Sequence, residues 1–197
     1  MSSEENDKSV DIIRIGHPVL EQVATSVTEA QRRSPAFLEL VQVMRATLKG
    51  KGVGLAAPQI RAGYRLFVME DTEENCRNDP EAVRKGRKAF PEIVAINPSW
   101  KQVGEEKTSF LEGCLSIPDL QGKVERCRTI DCEWTDIHGK LQRETMTDWK
   151  ARIFQHEHDH LEGKLYVEYL PSAPTIRYPS DGLGVPEELL RAIGSAR

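Results

Sequence analysis

The sequence lacks a long apolar run, an excess of basic charge and an N-terminal signal segment. No stretch approaches the roughly 20 apolar residues of a membrane-spanning helix, so no membrane role is expected. Lys and Arg total 27 against 31 Asp and Glu, which argues against direct nucleic-acid binding. The acidic residues 1–10 resemble a frayed tail, neither a secretory leader nor an Arg- and Ser-rich transit peptide. We therefore expect a cytoplasmic protein and place an organellar form second.

Cysteine is scarce, and phosphate-binding glycine motifs are missing. The four cysteines come without a secretory signal, so disulfides are not expected and a free thiolate ligand is allowed. The run GVGLAAPQ at 52–59 lacks the lysine of a phosphate loop and the spacing of a dinucleotide motif, so no nucleotide site is expected. Its small residues let another backbone approach closely, and Gln59 places an amide donor after the rigid Pro58.

The order of predicted elements favours one α+β domain over residues 1–197, with antiparallel sheets. Ser34 and Pro35 are typical of a helix start, and apolar residues then repeat at helical spacing towards Gly50. Strands are predicted at 64–70 and 93–97, before Cys114, in a hairpin over 124–147, and at 165–170. The charged residues 71–92 predict a surface insertion with a helical turn near 81–87. Residues 171–197 predict a turn-rich C-terminal tail with a short helix near 186–193.

The segment 149–163 carries the strongest chemical signal. His156, Glu157 and His160 follow the pattern H-E-x-x-H. Residues four apart share one helix face, so both imidazoles can reach a single ion, and the glutamate can hold a water beside it. Trp149 and Ile153 precede the histidines on that face. An isolated match can arise by chance, and two imidazoles leave a tetrahedral ion short of a ligand.

Other H-E-x-x-H sites take their third ligand downstream, and this sequence offers poor candidates there. A histidine ten residues after the first is ruled out because position 166 is Tyr. Glu168 lies in a strand-like run, and the glutamates at 187 and 188 lie in the tail. Cys114 is the best-placed upstream ligand, because it follows a strand in a tight, irregular turn. Three histidines are not expected to bind: His17, His138 and His158.

Three motifs together resemble those of the peptide deformylase family. They are G-x-G-L-A-A-P-Q at 52–59, E-G-C-L-S at 112–116 and Q-H-E-x-D-H-L at 155–161. Their order also agrees, and the resemblance covers nearly the whole chain. It implies antiparallel β-sheets packed around a central metal-binding helix. By the same resemblance one divalent metal is bound by Cys114, His156 and His160.

The resemblance also implies a reaction. Glu157 would be the catalytic acid/base, and Gln59 with the backbone N–H of Leu115 would hold the oxyanion. The implied enzyme is a metal-dependent hydrolase that removes the formyl group from the N-terminal formyl-methionine of newly synthesised polypeptides, releasing formate. Fe²⁺ is the metal that the resemblance favours, although the ligands also suit Zn²⁺, Ni²⁺ or Co²⁺.

Two alternatives stay open from the residues alone. One is an H-E-x-x-H metallopeptidase, and the other is a metal-binding protein without catalysis. The second is disfavoured because a structural site would fill its fourth position with protein, whereas Glu157 and Gln59 are both present. The expected partners are N-formylmethionyl peptides and nascent chains, with transient ribosome contact as a further expectation.

Because a formyl group is small, most of the binding must come from the peptide. We expect strand edges in the glycine-rich run and before Cys114 to pair with an extended substrate. Leu115 is a further candidate for the apolar methionine pocket, and Asp159 is expected to orient a neighbour. Arg126 is expected to pair with either Glu112 or Asp159. The predicted substrate-binding residues are Val53, Gly54, Phe110, Glu112, Gly113 and Ile153.

Overall fold

The computed structural model describes residues 8–79, 83 and 86–170, together with the backbone of 176 and 177. The α-helices are α1 (Glu29–Arg33), α2 (Pro35–Leu48), α3 (Glu73–Asn78) and α4 (Asp148–Leu161). The strands are β1 (Gly54–Ala56), β2 (Leu66–Asp71), β3 (Phe90–Gln102), β4 (Lys107–Cys114), β5 (Ile117–Cys127), β6 (Thr129–Thr135), β7 (Leu141–Thr147) and β8 (Ile176–Arg177). Short 3-10 helices cover Pro18–Glu21, Ala57–Ile60 and Tyr166–Tyr169.

The strands form two antiparallel sheets. The first has the order β1-β2-β3-β6-β7, and the second has the order β4-β5-β8. Burial alternates along β6, where Ile130, Cys132 and Trp134 face the core. This period of two is typical of a sheet with one covered face. The predicted α+β class with antiparallel sheets is confirmed.

Helix α4 lies at the centre of the structure and contacts strands of both sheets. It buries Phe154, which packs edge-to-face on Phe67 of β2 with ring centroids 5.1 Å apart. Thr147 occupies the N-cap position, although its side chain makes no capping bond. Gly163 follows the helix at φ 69°, where a Cβ would come within 2.7 Å of the Glu21 backbone. The helix therefore ends at Leu161, two residues before this glycine.

Helix α2 begins as its sequence predicts. Ser34 is the N-cap, and its Oγ accepts a hydrogen bond from the N–H of Phe37 at 3.2 Å. Pro35 occupies the first helical position, where its missing N–H has no cost. The residues repeating at helical spacing are all buried against the first sheet: Phe37, Val41, Met44 and Leu48.

The strand predicted at 165–170 is wrong, because Tyr166–Tyr169 is a 3-10 helix. The Glu168 carboxylate accepts a hydrogen bond from the N–H of Leu165 at 2.7 Å, which closes the turn. Leu165, Tyr166 and Val167 are buried consecutively, a pattern that an alternating strand on one sheet face does not give. A short apolar run of this kind does not distinguish a strand from a helical turn.

The predicted surface insertion at 71–92 is tied to the body of the protein at both ends. Asp71 ends β2 with a buried carboxylate, and Phe90 begins β3. Helix α3 buries Cys76. The helical turn predicted near 81–87 lies mostly outside the described residues, and so do residues 1–7 and the tail helix predicted near 186–193. No helix among the described residues is long and apolar enough to cross a membrane.

Candidate metal centre and active site

The three predicted metal ligands converge in the structure. The Cys114 sulfur and one ring nitrogen from each of His156 and His160 lie within 4.8 Å of one another. Cys114 Sγ and His160 Nε2 are 3.4 Å apart. In a tetrahedral site, a metal–nitrogen bond of about 2.0 Å and a metal–sulfur bond of about 2.3 Å put the two ligand atoms at about this separation. One thiolate and two imidazoles therefore fit a single divalent transition-metal ion.

The β4–β5 hairpin positions Cys114. The register shifts between Gly113 and Cys114, and Cys114 pairs with Ile117 across a tight turn. This irregularity directs the Ser116 N–H to the cysteine sulfur at 3.4 Å. The Gln59 amide also donates to this sulfur, at 3.5 Å. Both donors hold the sulfur in place, and the thiolate is the form of cysteine that binds metal.

A buried ion network orients His156. Its Nδ1 lies 3.0 Å from a carboxylate oxygen of Glu112. Arg126 donates to both Glu112 oxygens at 2.7 and 2.9 Å, and to Asp159 at 2.6 Å. Arg152 donates to Glu112 as well. The prediction for Arg126 named either acidic partner, and the structure shows both. Such a contact to the far nitrogen of a metal-binding histidine fixes the ring orientation.

The network also sets protonation states. Burial would raise the pKa of Glu112, but hydrogen bonds with Arg126 and His156 outweigh it and hold the pKa well below its usual range. Burial lowers the pKa of His160 well below its usual value, so this ring is neutral and can bind a metal. For His156, contacts with Cys114 and Glu112 outweigh burial and raise the pKa. A metal ion that binds the His156 ring must therefore displace a proton from it.

Glu157 is a buried carboxyl group beside the ligands. Its side chain is directed at Gly54, where an added Cβ would lie 2.2 Å from Glu157 Oε1. Oε2 is buried without a hydrogen-bond partner among the described residues. Burial raises the pKa of Glu157 to about 7. A carboxyl group with a pKa near neutrality suits proton transfer in both directions.

Gln59 lies on the 3-10 helix Ala57–Ile60 and is almost fully buried. Its Oε1 accepts a hydrogen bond from the Ala56 N–H at 2.8 Å, which fixes the orientation of the amide. Its Nε2 therefore faces the Cys114 turn and donates to Ser116 Oγ at 3.2 Å. The amide donor is thus held next to the metal ligands.

A large open cleft of about 1870 Å³ leads to these groups. Gln59, Cys114, His156 and Glu157 all contribute to its wall. Two edge strands flank it: β1 belongs to the first sheet and β4 to the second. The predicted substrate-binding residues all line this cleft: Val53, Gly54, Phe110, Glu112, Gly113 and Ile153. Leu115 lines it too.

The sequence from residue 9 to 174 matches the polypeptide deformylase family model. The chain belongs to the peptide deformylase family. It is 40% identical over 163 residues to peptide deformylase 1 of Bifidobacterium longum, covering 82% of this chain and 73% of that protein. Chloroplastic peptide deformylase 1A of Solanum lycopersicum is 38% identical, over 80% of this chain and 58% of that protein. The predicted family and the deformylase class of enzyme are confirmed.

Solved structures of the peptide deformylase family share the fold. The class I type b enzyme of Acinetobacter baumannii, bound to Met-Ala-Ser, has a TM-score of 0.73 and 28% identity, covering 82% of this chain and 98% of that one. A peptide deformylase of Synechococcus elongatus in complex with actinonin has a TM-score of 0.68 and 28% identity, covering 94% and 85%. The family is metal-dependent, in agreement with the Cys114–His156–His160 group.

The histidines set aside as non-ligands lie away from this deformylase site. His158 packs on Trp100 of β3, with its Nε2 3.3 Å from Arg65. His17 Nδ1 accepts a hydrogen bond from the Val19 N–H, and His138 is exposed in a hairpin turn. Of the five histidines, all of them among the described residues, only His156 and His160 belong to the group that could hold a metal.

Sequence reasoning did not predict that Arg87 and Arg152 line the cleft of this deformylase, and it placed Trp149 on the metal-binding helix face without assigning it to the cleft. Arg152 lies four residues before His156, so helical spacing could have placed it on the same face. Arg87 lies in the predicted insertion, and no local signal connects it to the metal helix. Its position depends on tertiary contacts alone.

The contact between Gly54 and Glu157 gives a direct test of the site. We expect Gly54→Ala to lower kcat for deformylation about 100-fold, because the new methyl group displaces the carboxylate and a shift of about 1 Å can cost that much. Formate release and bound metal should be measured together. Gly63→Ala is the matched control, since a Cβ there meets nothing within 4 Å. Equal rates for both variants would contradict the role of this contact.

Proposed function

We propose that the chain, as one catalytic domain over residues 1–197, removes the formyl group from N-terminal formyl-methionine and releases formate. One observation carries the proposal: one sulfur and two imidazole nitrogens converge beside Glu157, which lines an open cleft and whose buried Oε2 has no hydrogen-bond partner among the described residues. We assign Cys114, His156 and His160 as metal ligands and Glu157 as the catalytic acid/base. An ion held there would supply Lewis acidity and lower the pKa of a water molecule.

We assign the proton transfers to one residue and the stabilisation of the developing negative charge to two others. Glu157 takes a proton from the attacking water and later passes it to the leaving amine, as its pKa near 7 allows. Negative charge develops on the formyl oxygen as the water adds. Gln59 Nε2 and the backbone N–H of Leu115 are the proposed donors to that oxygen. The bond from Gln59 Oε1 to Ala56 supports this role, because it fixes the amide in advance.

Gln59→Met should lower kcat about 100- to 1,000-fold, the usual cost of losing one oxyanion donor. The KM should change little, because the interaction forms mainly in the transition state. Gln59 also contacts Cys114 and Ser116, so metal content and thermal stability must be measured on the same sample. If the fall in kcat is fully explained by a proportional loss of bound metal, the oxyanion role of Gln59 is contradicted.

An extended N-formylmethionyl peptide is the proposed substrate. The two edge strands beside the cleft support this, since unpaired edges can add an extended chain by backbone hydrogen bonds. Val53, Phe110 and Ile153 offer apolar surface for the methionine side chain, together with Leu115. Gly54, Glu112 and Gly113 contribute mainly backbone there, because the Glu112 carboxylate is already bound by Arg126 and His156.

Fe²⁺ is the proposed metal. Two imidazoles and one thiolate can bind iron, zinc, nickel or cobalt, so the ligands alone do not determine which metal is bound. Anaerobic purification with metal analysis tests the assignment, together with the rate of inactivation in air, since a bound thiolate is open to oxidation. Iron retained at one equivalent per chain would support it. Full activity with zinc and no loss in air would contradict it.

Cytoplasmic location and transient ribosome contact stay predictions. The relatives include a bacterial protein and a chloroplastic one, so similarity alone does not select a compartment. Co-sedimentation with ribosomes at physiological salt tests the contact, and microscopy of a tagged chain tests the location. Direct nucleic-acid binding is not proposed, because the net charge of the chain is −4.

The activity is tested by presenting formyl-Met-Ala-Ser and acetyl-Met-Ala-Ser to the metal-loaded protein. Release of formate from the first peptide, without release of acetate from the second, supports the proposal. The competing metallopeptidase assignment predicts cleavage of internal peptide bonds, which mass spectrometry of longer unformylated peptides would detect. Internal cleavage without formate would replace the deformylase proposal with that alternative.

A further inference from the structure

Residues 10–15 form an N-terminal segment that connects the two sheets. The Ile13 N–H donates to the backbone carbonyl of Gln59 at 2.9 Å, and the Ile15 N–H donates to the backbone carbonyl of Ser116 at 2.9 Å. Gln59 lies just after β1 of the first sheet, whereas Ser116 lies between β4 and β5 of the second. Two alternate N–H groups of one short segment therefore tie these two loops together.

The N-terminal segment is itself anchored on both sides. The Val10 N–H donates to Thr47 Oγ1 of α2 at 3.0 Å. Ile12 packs against the apolar cluster that α2 forms with the first sheet, and Ile15 packs against a separate cluster that includes residues of β5. Ile13 is buried between them in the chain. The segment therefore cannot shift without exposing apolar side chains, and it can act as a fixed spacer.

The two loops that the segment joins carry the two proposed oxyanion donors. Gln59 supplies Nε2, and the backbone N–H of Leu115 belongs to the residue just before Ser116. The Gln59 amide has two protons, and one of them is already donated to Ser116 Oγ. The other proton must remain available for the formyl oxygen. A tie through the backbone carbonyls holds the two loops together without using that proton.

We propose that the N-terminal segment is a positioning element of the oxyanion site. Its Ile13 and Ile15 N–H groups, about 7 Å apart along an extended chain, fix the separation of the Gln59 loop from the Leu115 turn. In this role the segment acts through Gln59 and not by contact with the formyl group. The inference rests on the proposed function, since it assumes that Gln59 and Leu115 stabilise the oxyanion.

The test replaces Ile13 in the full chain by its α-hydroxy analogue, which keeps the side chain and exchanges the N–H for an ester oxygen opposite the Gln59 carbonyl. For the metal-loaded enzyme acting on formyl-Met-Ala-Ser, kcat should fall about tenfold with KM unchanged, because a misplacement of about 1 Å can cost up to about 100-fold. Bound metal should stay at one equivalent.

The α-hydroxy analogue of valine at Val27 is the matched control. It removes a backbone N–H that donates to Asn97 Oδ1 at 2.8 Å, on the far side of the first sheet's loops from Gln59, and it introduces the same ester chemistry. Its kcat should equal that of the wild-type enzyme. A comparable loss at Val27 would show that any lost backbone bond has this effect, and would overturn the inference.

A double-mutant cycle with Gln59→Met separates positioning from a general structural effect. If the segment acts through the Gln59 amide, the ester at Ile13 should lower the single-turnover rate less than about twofold once that amide is absent. An equal tenfold loss in both backgrounds, or a loss that follows bound metal, overturns the inference.

The same replacement at Ile15 covers the case in which the Ile13 variant does not fold, and the same fall in kcat is expected because the second tie is lost. An unchanged kcat in the folded, metal-loaded variant refutes the positioning role alone. If the unmodified enzyme releases no formate from the peptide, the proposed function itself fails.

Discussion

Glu157→Gln should lower kcat for formate release about 100- to 10,000-fold, the range that a lost general acid/base usually costs. Glutamine has nearly the same shape, so the close fit against Gly54 is kept. It cannot accept the proton of the attacking water or return it to the amine. Bound metal should stay at one equivalent, because Glu157 is not one of the three converging ligands.

Glu162→Gln is the control for this variant. Glu162 follows the same helix but pairs with Arg65 at 2.7 Å, away from the cleft. Kinetics and metal content should be measured for both proteins in one buffer. A Glu157→Gln enzyme that retains metal and at least a tenth of its activity would show that another group transfers the proton.

Cys114→Ser should weaken metal binding at least about 100-fold, more than the loss of an outer-shell contact typically costs. The thiolate is a soft ligand held by donors from Ser116 and Gln59, and a neutral hydroxyl group is a poor replacement. Formate release should fall in proportion to bound metal. Competition with a chelator under anaerobic conditions gives the affinity.

Cys127→Ser is the matched control, because Cys127 lies on β5 and its thiol donates to Gln102, away from the ligands. Its metal affinity should equal that of the wild-type protein. The metallopeptidase alternative makes the opposite prediction for Cys114, since its third ligand would come from elsewhere. Unchanged metal affinity in Cys114→Ser would therefore remove Cys114 from the site.

Local spacing explains why much of the metal site could be predicted. His156 and His160 lie on one helix face wherever the helix packs, because they are four positions apart. Their spacing alone therefore predicts that both rings can reach one ion. Cys114 is 46 residues from His160, and local sequence only made it the best-placed upstream candidate. The family motifs were needed to assign it, and the structure then placed its sulfur 3.4 Å from the ring.

Tertiary contacts explain what the sequence did not disclose. The run at 165–170 is apolar enough for a strand, but the bond from Leu165 to Glu168 closes a helical turn. Residues 71–92 are charged like a surface loop, yet Asp71 is buried because Arg87 and Trp149 satisfy its oxygens. The need for glycine at position 54 is visible only once Glu157 is packed against it.

One titration tests the central claim that Glu157 acts on a formyl group beside a metal held by Cys114, His156 and His160. Metal-free protein is titrated anaerobically with Fe²⁺ while formate release from formyl-Met-Ala-Ser is recorded. The account predicts that activity rises in proportion to bound metal and saturates at one ion per chain. Formate release at full rate from metal-free protein, or none from the saturated protein, would contradict it.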